Sequence, residues 1–201
     1  KGIRTQAELT LMIDDQAVLQ ETGELLLTDY GVSGVCVFQL SREAAPALAQ
    51  GRSVRLAVNF LPEIPSLLPW LDARIRQLAP ASLLALTTGV LPRLLAQTVI
   101  REARLSPDMP AEALSESEKQ ALCGALSAFP LVVTGTQGFA NAQVTRGGVS
   151  LADVDPSTMA SRLFDGLHII GELLDVDGPC GGYNLHFAFA GALAAAKAIA
   201  G

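Results

Sequence analysis

The stretch GELLDVDGPCGGYNL, residues 171–185, sets Glu172, Asp175 and Asp177 ahead of a glycine pair, Gly181 and Gly182, with Tyr183 and Asn184 directly after. Read as an extended segment turning into a helix, this order aims bare backbone N–H groups and the positive end of a helix dipole at one point, which attracts negative charge. Neither glycine carries a Cβ, so a flat or bulky ligand could approach the main chain there. Glu172 and Asp175, at the carboxyl end of the extended segment, could accept hydrogen bonds from ligand hydroxyls, as carboxylates in that position do for ribose. A plainer account makes the same residues a tight turn, with Asp175 and Asp177 as turn and cap. Spacing alone leaves both accounts open. DVDG lacks the third ligand and the terminal glutamate of a calcium loop, and no metal is expected.

Other reactive residue types are less organised. Ser33 lies among glycines in GVSGV but without the G-x-S-x-G spacing of a nucleophile elbow. His168, in the apolar run GLHII, reads as a structural histidine, whereas His186 falls on the first turn of the tail helix and could face a ligand. Cys180 precedes the glycine pair, where a helix N-terminus would lower its pKa if it were exposed. No catalytic residue can be assigned from these patterns.

The elements that must position these groups change period along the chain. Residues 4–27 alternate and favour strands, with turns expected at Asp14-Asp15 and at 21–23. A helix follows from near Ser33, its expected cap, to Gly51, and then SVRLAVNFLP alternates again as a strand. Between 65 and 129 apolar residues recur at three and four, and seven prolines from Pro62 to Pro110 cut that section into short helices. SESEK, 115–119, is a capping-box start for the last of these. A return strand is expected over 130–145, with Gly135 and Gly138 marking a turn or bulge. Beyond it come loops, a short buried strand at 167–171, and a tail helix apolar on nearly every face, which calls for burial all round. An exposed face on the leucine-rich middle helices could serve as a partner or dimer surface.

A chain of 201 residues with 50% hydrophobic residues can bury one large core or two small ones. A net charge of -6 with 5% aromatic residues argues against nucleic acid and against an anionic membrane surface. The apolar stretches are interrupted or short, so no membrane span is expected. Cys36, Cys123 and Cys180 are widely spaced and odd in number, indicating neither a disulfide framework nor a zinc site. A reducing cytoplasm fits best. The chain opens on Lys1 directly into an alternating pattern, so it is expected to be a truncated piece of a longer protein.

Four blocks in order carry a family resemblance: TRGGV at 145–149, TMAS at 158–161, GLHIIGELLD at 166–175 and GGYNLH at 181–186. With LLLTDYGVSGVCVFQLS at 25–41, they resemble the BaiN/YhiN-like NAD(P)/FAD-dependent oxidoreductases of bacteria. The resemblance implies an α+β fold: an inserted domain over 1–145, made of a small β-barrel-like sheet (1–60), a helical subdomain (65–129) and return strands (130–145). Residues 146–201 would then be a C-terminal strand and helix belonging to an incomplete Rossmann-like FAD domain. It further implies that Gly147, Gly148 and Val149 lie beside the flavin ring, that Glu172 holds its ribityl hydroxyls with Asp175 nearby, and that Gly181, Gly182, Tyr183 and Asn184 face its pyrimidine edge.

Reduction of a flavin leaves negative charge around that edge, which a helix N-terminus stabilises without reorganising. FAD would be the cofactor of the full-length protein, NAD(P)H its reductant and a small molecule its substrate. Without a G-x-G-x-x-G segment for the ADP half, the fragment itself would hold FAD weakly or not at all and would be inactive. The sequence departs from the family pattern at His186 (usually Gln), Cys180 (Thr), Asp29 (His) and Val35-Cys36 (Pro-Ala). A rival expectation is a non-catalytic module for substrate gating or protein interaction.

Overall fold

The computed structural model describes residues 2–201 and divides them into two compact units, one up to Gly135 and one from Thr136 to Gly201. The first is α+β, built on a curled five-stranded antiparallel half-barrel of order β3-β2-β1-β4-β5. Strand β1 (Ile3–Ile13) alternates strictly at its core end, so Ala7, Leu9, Leu11 and Ile13 point inward and their neighbours outward. It pairs with β2 (Gln16–Leu27) through a two-residue turn at Asp14 and Asp15, whose φ angles of 49° and 64° match the twist of the flanking strands. A register shift between Leu11 and Met12 adds local twist and helps the sheet curl.

The turn expected at 21–23 does not form. Those residues stay in β2, paired with 7–9 of β1, because ladder pairing outweighs glycine's weak strand preference. Gly23 lies against Cys36, whose Cβ would stand in ordinary contact, 3.5 Å from a Cβ at 23. The first helix also starts later than expected. Ser33 pairs in the short strand β3 (Val32–Ser33), and α1 (Val35–Ala49) begins after Gly34, with no side chain capping it. Gly34, at φ 122°, passes so close to the Glu24 carbonyl that a Cβ would fall on that oxygen. Helix α1 then lays Cys36, Leu40, Ala44 and Ala47 on the sheet.

Strand β4 (Val54–Asn59) pairs with β1 and buries Val54, Leu56 and Val58. The helical section comprises α2 (Leu67–Leu78), α3 (Leu83–Leu86), α4 (Arg93–Glu102) and α5 (Glu116–Ser127). Ser115 and Glu118 close the expected capping box at the start of α5. Arg74 donates to the Leu86 and Thr88 carbonyls and lies 5.6 Å over the Trp70 ring, tying α2 to the end of α3. Lys119 of α5 reaches Asp72 of α2 at 2.8 Å and Glu116 at 2.7 Å. All these elements enclose one apolar core running from Ala7 to Leu126.

The expected return strand is shorter than 130–145. Only β5 (Phe129–Val132) joins the sheet, over Arg55–Val58 of β4, because beyond those residues the sheet offers it no further partner. Residues from Thr134 onward leave the sheet, passing a single 3-10 turn at Phe139–Asn141.

In the second unit the expected buried strand at 167–171 is absent. Isolated bridges, among them Ala160 with His168, take its place, and Gly171 turns at φ 64° into a 3-10 turn, Gly171–Leu173. Leu167 and Ile170 stay exposed. The tail helix α6 (Tyr183–Ala200) buries only Gly191 and Ala195 and leaves Leu185, Phe189, Leu193 and Ile199 in solvent, unlike the all-round burial its composition predicts. Among the described residues no helix is long and apolar enough to cross a membrane, and no group of three His, Cys, Asp or Glu is placed to hold a metal ion.

Candidate functional site

The second unit draws its glycine-bearing segments together by main-chain pairing. Val149 and Leu174 form a parallel bridge, with the Val149 N–H donating to the Leu173 carbonyl at 2.8 Å and the Asp175 N–H to the Val149 carbonyl at 2.9 Å. On either side of this bridge a carboxylate catches an amide of the preceding loop. Glu172 Oε1 accepts the Thr145 N–H at 2.5 Å, and Asp175 Oδ1 accepts the Gly147 N–H at 3.1 Å. Gly148, at φ 154°, crosses the partner segment so closely that a Cβ would lie 2.5 Å from the Leu173 oxygen. Only glycine permits that approach.

The segment before α6 is shaped by Asn184. Its Oδ1 accepts the Gly178 N–H at 2.7 Å and its Nδ2 donates to the Gly178 carbonyl at 3.0 Å, so both polar atoms of the amide serve one glycine. Gly181 (φ 126°) and Gly182 (φ 89°) then deliver the chain into the helix, whose first backbone bond runs from the His186 N–H to the Gly182 carbonyl at 2.9 Å. No side chain caps this end. Around Gly182 an added Cβ would meet nothing within 4 Å, which leaves its backbone open, and Tyr183 is 62% exposed beside Gly181. The helix dipole therefore ends on bare, solvent-facing main chain.

The two constructions are linked through the 3-10 turn at Gly171–Leu173. Gly171 faces α6 at Ala188, 3.4 Å from where its own Cβ would stand. Thus Gly147, Gly148, Val149, Glu172 and Asp175 lie together, and Gly181, Gly182, Tyr183 and Asn184 lie at the start of the helix on which that turn packs. His168 is structural, its Nδ1 2.9 Å from the Thr158 carbonyl. The sequence reading passes over Gly178 and Gly171, although the Asp177-Gly178 pair is a turn signal that points to the first.

Residues 1–144 match the family described as HI0933-like protein barrel and H2TH domain. The chain belongs to this family, the BaiN-like flavoprotein oxidoreductases. Over 201 residues it is 36% identical to 3-dehydro-bile acid delta(4,6)-reductase of Clostridium scindens, covering 99% of this chain and 49% of that protein. It is 34% identical to ribosomal RNA dihydrouridine synthase of Escherichia coli over 174 residues, 86% of this chain and 41% of the relative. The protein of that name from Haemophilus influenzae is 30% identical over 177 residues, 88% and 42% of the two chains. The chain thus spans half or less of the length of these curated relatives. Resemblance read from the glycine-bearing blocks and membership of this oxidoreductase family agree.

Proposed function

We propose that this chain supplies the inserted domain and the C-terminal FAD-domain segment of an FAD-dependent reductase that draws hydride from NAD(P)H and saturates a carbon–carbon double bond in a small molecule. The observation that carries this reading is the 36% identity to a delta(4,6)-reductase across 99% of the chain. The other relatives' names describe dihydrouridine, a pyrimidine ring that has gained two hydrogens. Steroid and pyrimidine are different substrates with one chemistry, the reduction of a ring double bond.

The residues present fit a flavin at this place. Gly181 and Gly182 leave main chain open ahead of an uncapped helix, and the Gly147-Gly148 loop is held beside two carboxylates. The helix end would face the edge on which charge gathers, with Tyr183 and Asn184 beside it. When bound, FAD would supply the hydride transfer, and the chain contributes position and field.

Further support comes from α6. A helix with Leu185, Phe189, Leu193 and Ile199 exposed along one side has the surface of an element that packs against a sheet, as the last helix of a larger FAD domain would. Of the two substrate classes the small molecule fits this chain better, because a net charge of -6 repels a phosphate backbone. We place the full-length protein in the cytoplasm as part of the same reading.

The test is to purify the full-length protein and record its visible absorbance, then to follow anaerobic bleaching by NADH and by NADPH. Reoxidation is then measured with a 3-oxo-delta-4 steroid and with unmodified ribosomal RNA. A yellow protein bleached by a nicotinamide and reoxidised by the steroid is expected. A colourless protein that gains no absorbance with added FAD would sink the flavin reading. Reoxidation by the RNA alone would replace the small-molecule substrate.

A further inference from the structure

Glu172, Asp175 and Asn184 have the chemistry of ligand contacts, yet each has a polar atom engaged by the chain's own backbone. Glu172 holds the amide of Thr145, Asp175 the amide of Gly147, and Asn184 both the amide and the carbonyl of Gly178. Every main-chain segment they grip adjoins one of the glycine pairs: 145–149 carries Gly147 and Gly148, and 178–182 carries Gly181 and Gly182. These glycines adopt positive φ, a region with no intrinsic preference to hold one shape. Such a segment must be fixed from outside if it is to meet a ligand without losing binding energy to ordering.

We infer that Glu172, Asp175 and Asn184 are positioning residues that fix the two glycine turns in their ligand-ready form before any ligand arrives, and that recognition itself falls to the main chain of those turns. This rests on the flavin reading above and changes its division of labour. A carboxylate that accepts a backbone N–H acts as an acceptor and needs no charge for that task, so its amide counterpart serves nearly as well. Asn184 differs in needing a donor and an acceptor at once, and aspartate would keep only the second. The three residues also act on separate places, so their losses should be separately visible.

The test uses the full-length protein, first without ligand. Hydrogen exchange resolved by amide is measured for E172A, D175A and N184A. Each variant should speed exchange by about five- to tenfold at its own amide, Thr145, Gly147 or Gly178, and leave the amides of β1 unchanged. FAD titration of the same proteins should then give about five- to tenfold weaker binding for each alanine variant. E172Q and D175N should recover both readouts to within about threefold, whereas N184D should recover exchange at Gly178 only in part. Weakened FAD binding with unchanged exchange in the ligand-free protein would make these side chains direct ligand contacts and overturn the inference. If exchange changes as expected but the wild-type protein binds no FAD, the positioning role stands and the flavin reading fails. Unchanged exchange and unchanged binding together would overturn the role as well.

Discussion

Up to Gly135 the chain surrounds its own core, whereas from Thr136 onward it leaves most of its large apolar side chains in solvent. In the first unit β1, β4, α1 and the middle helices share one cluster from Ala7 to Leu126, with Leu9, Leu11, Leu40 and Ile100 almost wholly buried. The second unit has a cluster of Val154, Met159, Leu174 and Ala195, yet among the described residues it holds twelve of the eighteen exposed large hydrophobic side chains. The first therefore has its own hydrophobic driving force, and the second is held chiefly by hydrogen bonds between turns. Surface that apolar is uncommon on an element meant to stay bare. The difference separates a unit that encloses a core of its own from one that leaves an apolar helix face in solvent.

The sharpest way to break that contrast is to truncate one large side chain in each unit. Ile100→Ala and Leu9→Ala should each cost about 3 kcal/mol, the transfer term plus an unfilled cavity. Phe189→Ala, on the 74% exposed ring of α6, should change the unfolding of this 201-residue chain by less than about 0.5 kcal/mol. Under the function proposed above, that face packs on further sequence in the longer protein, and there the same substitution should cost about 3 kcal/mol. Urea unfolding of both lengths measures this. An equal small effect of Phe189→Ala in both would mean that the face is never covered, and the contrast would lose its functional meaning.

A smaller effect compares one close backbone crossing from each unit. Gly34→Ala drives a methyl into the Glu24 carbonyl and would loosen the start of α1, while Gly148→Ala meets the Leu173 carbonyl and would open the Val149–Leu174 bridge. Each should cost about 2 kcal/mol, since backbone must move and φ stays strained. The readouts differ. Gly34→Ala should lower the midpoint of cooperative unfolding, but Gly148→Ala should chiefly raise hydrogen exchange in 145–149 and 173–175, because fewer packed elements depend on it. A drop in global stability from Gly148→Ala matching that from Gly34→Ala would show that the two units unfold together.

How much of this was legible in the sequence follows the same divide. Period-two and period-3.6 patterns work where one face is buried, so β1, β4, α2, α4 and the capping box at Ser115 read correctly from residues alone. The errors in the first unit are at glycines whose setting is tertiary: Gly23 reads as a turn but pairs with Ala7 in the β1–β2 ladder, and Gly34 moves the helix start past Ser33 because of a neighbouring strand. In the second unit pattern fails more deeply. An apolar run such as 167–171 signals burial, but with no sheet to enter it forms single bridges and a 3-10 turn. The candidate site residues stood out as residue types and as family blocks. That Glu172, Asp175 and Asn184 turn back onto their own main chain was not, because hydrogen-bond partners 27, 28 and 6 residues away leave no trace in local spacing.

The smallest effect concerns acid. Three carboxylates, Asp14 exposed and the other two half-buried, are held below their usual range: Asp14 by the Arg52 guanidinium and the Ser53 amide, Glu118 by the hydroxyl and amide of Ser115, and Asp155 by the hydroxyl and amide of Ser157. A depressed folded pKa means that the folded state binds the proton less readily than the unfolded one. The stability each contributes is thus present above the unfolded pKa and lost as pH falls through the folded pKa. Asp14 ties the β1–β2 turn to the segment before β4 and Glu118 fixes the start of α5 in the first unit, while Asp155 fixes only a turn in the second. Asp14→Asn keeps an acceptor for Ser53 but loses the charge facing Arg52. Its melting temperature should fall below wild type near pH 7 and converge on it as pH falls through the lowered folded-state pKa of Asp14. Added salt should shrink the neutral-pH gap, since the ion pair is exposed. Asp155→Asn should shift the melting temperature less than Asp14→Asn does and raise exchange chiefly around Ser157. A gap for Asp14→Asn that stays constant down to pH 2 would mean its effect is one of shape, with the Arg52 charge contributing nothing, and the two units would then respond to acid alike.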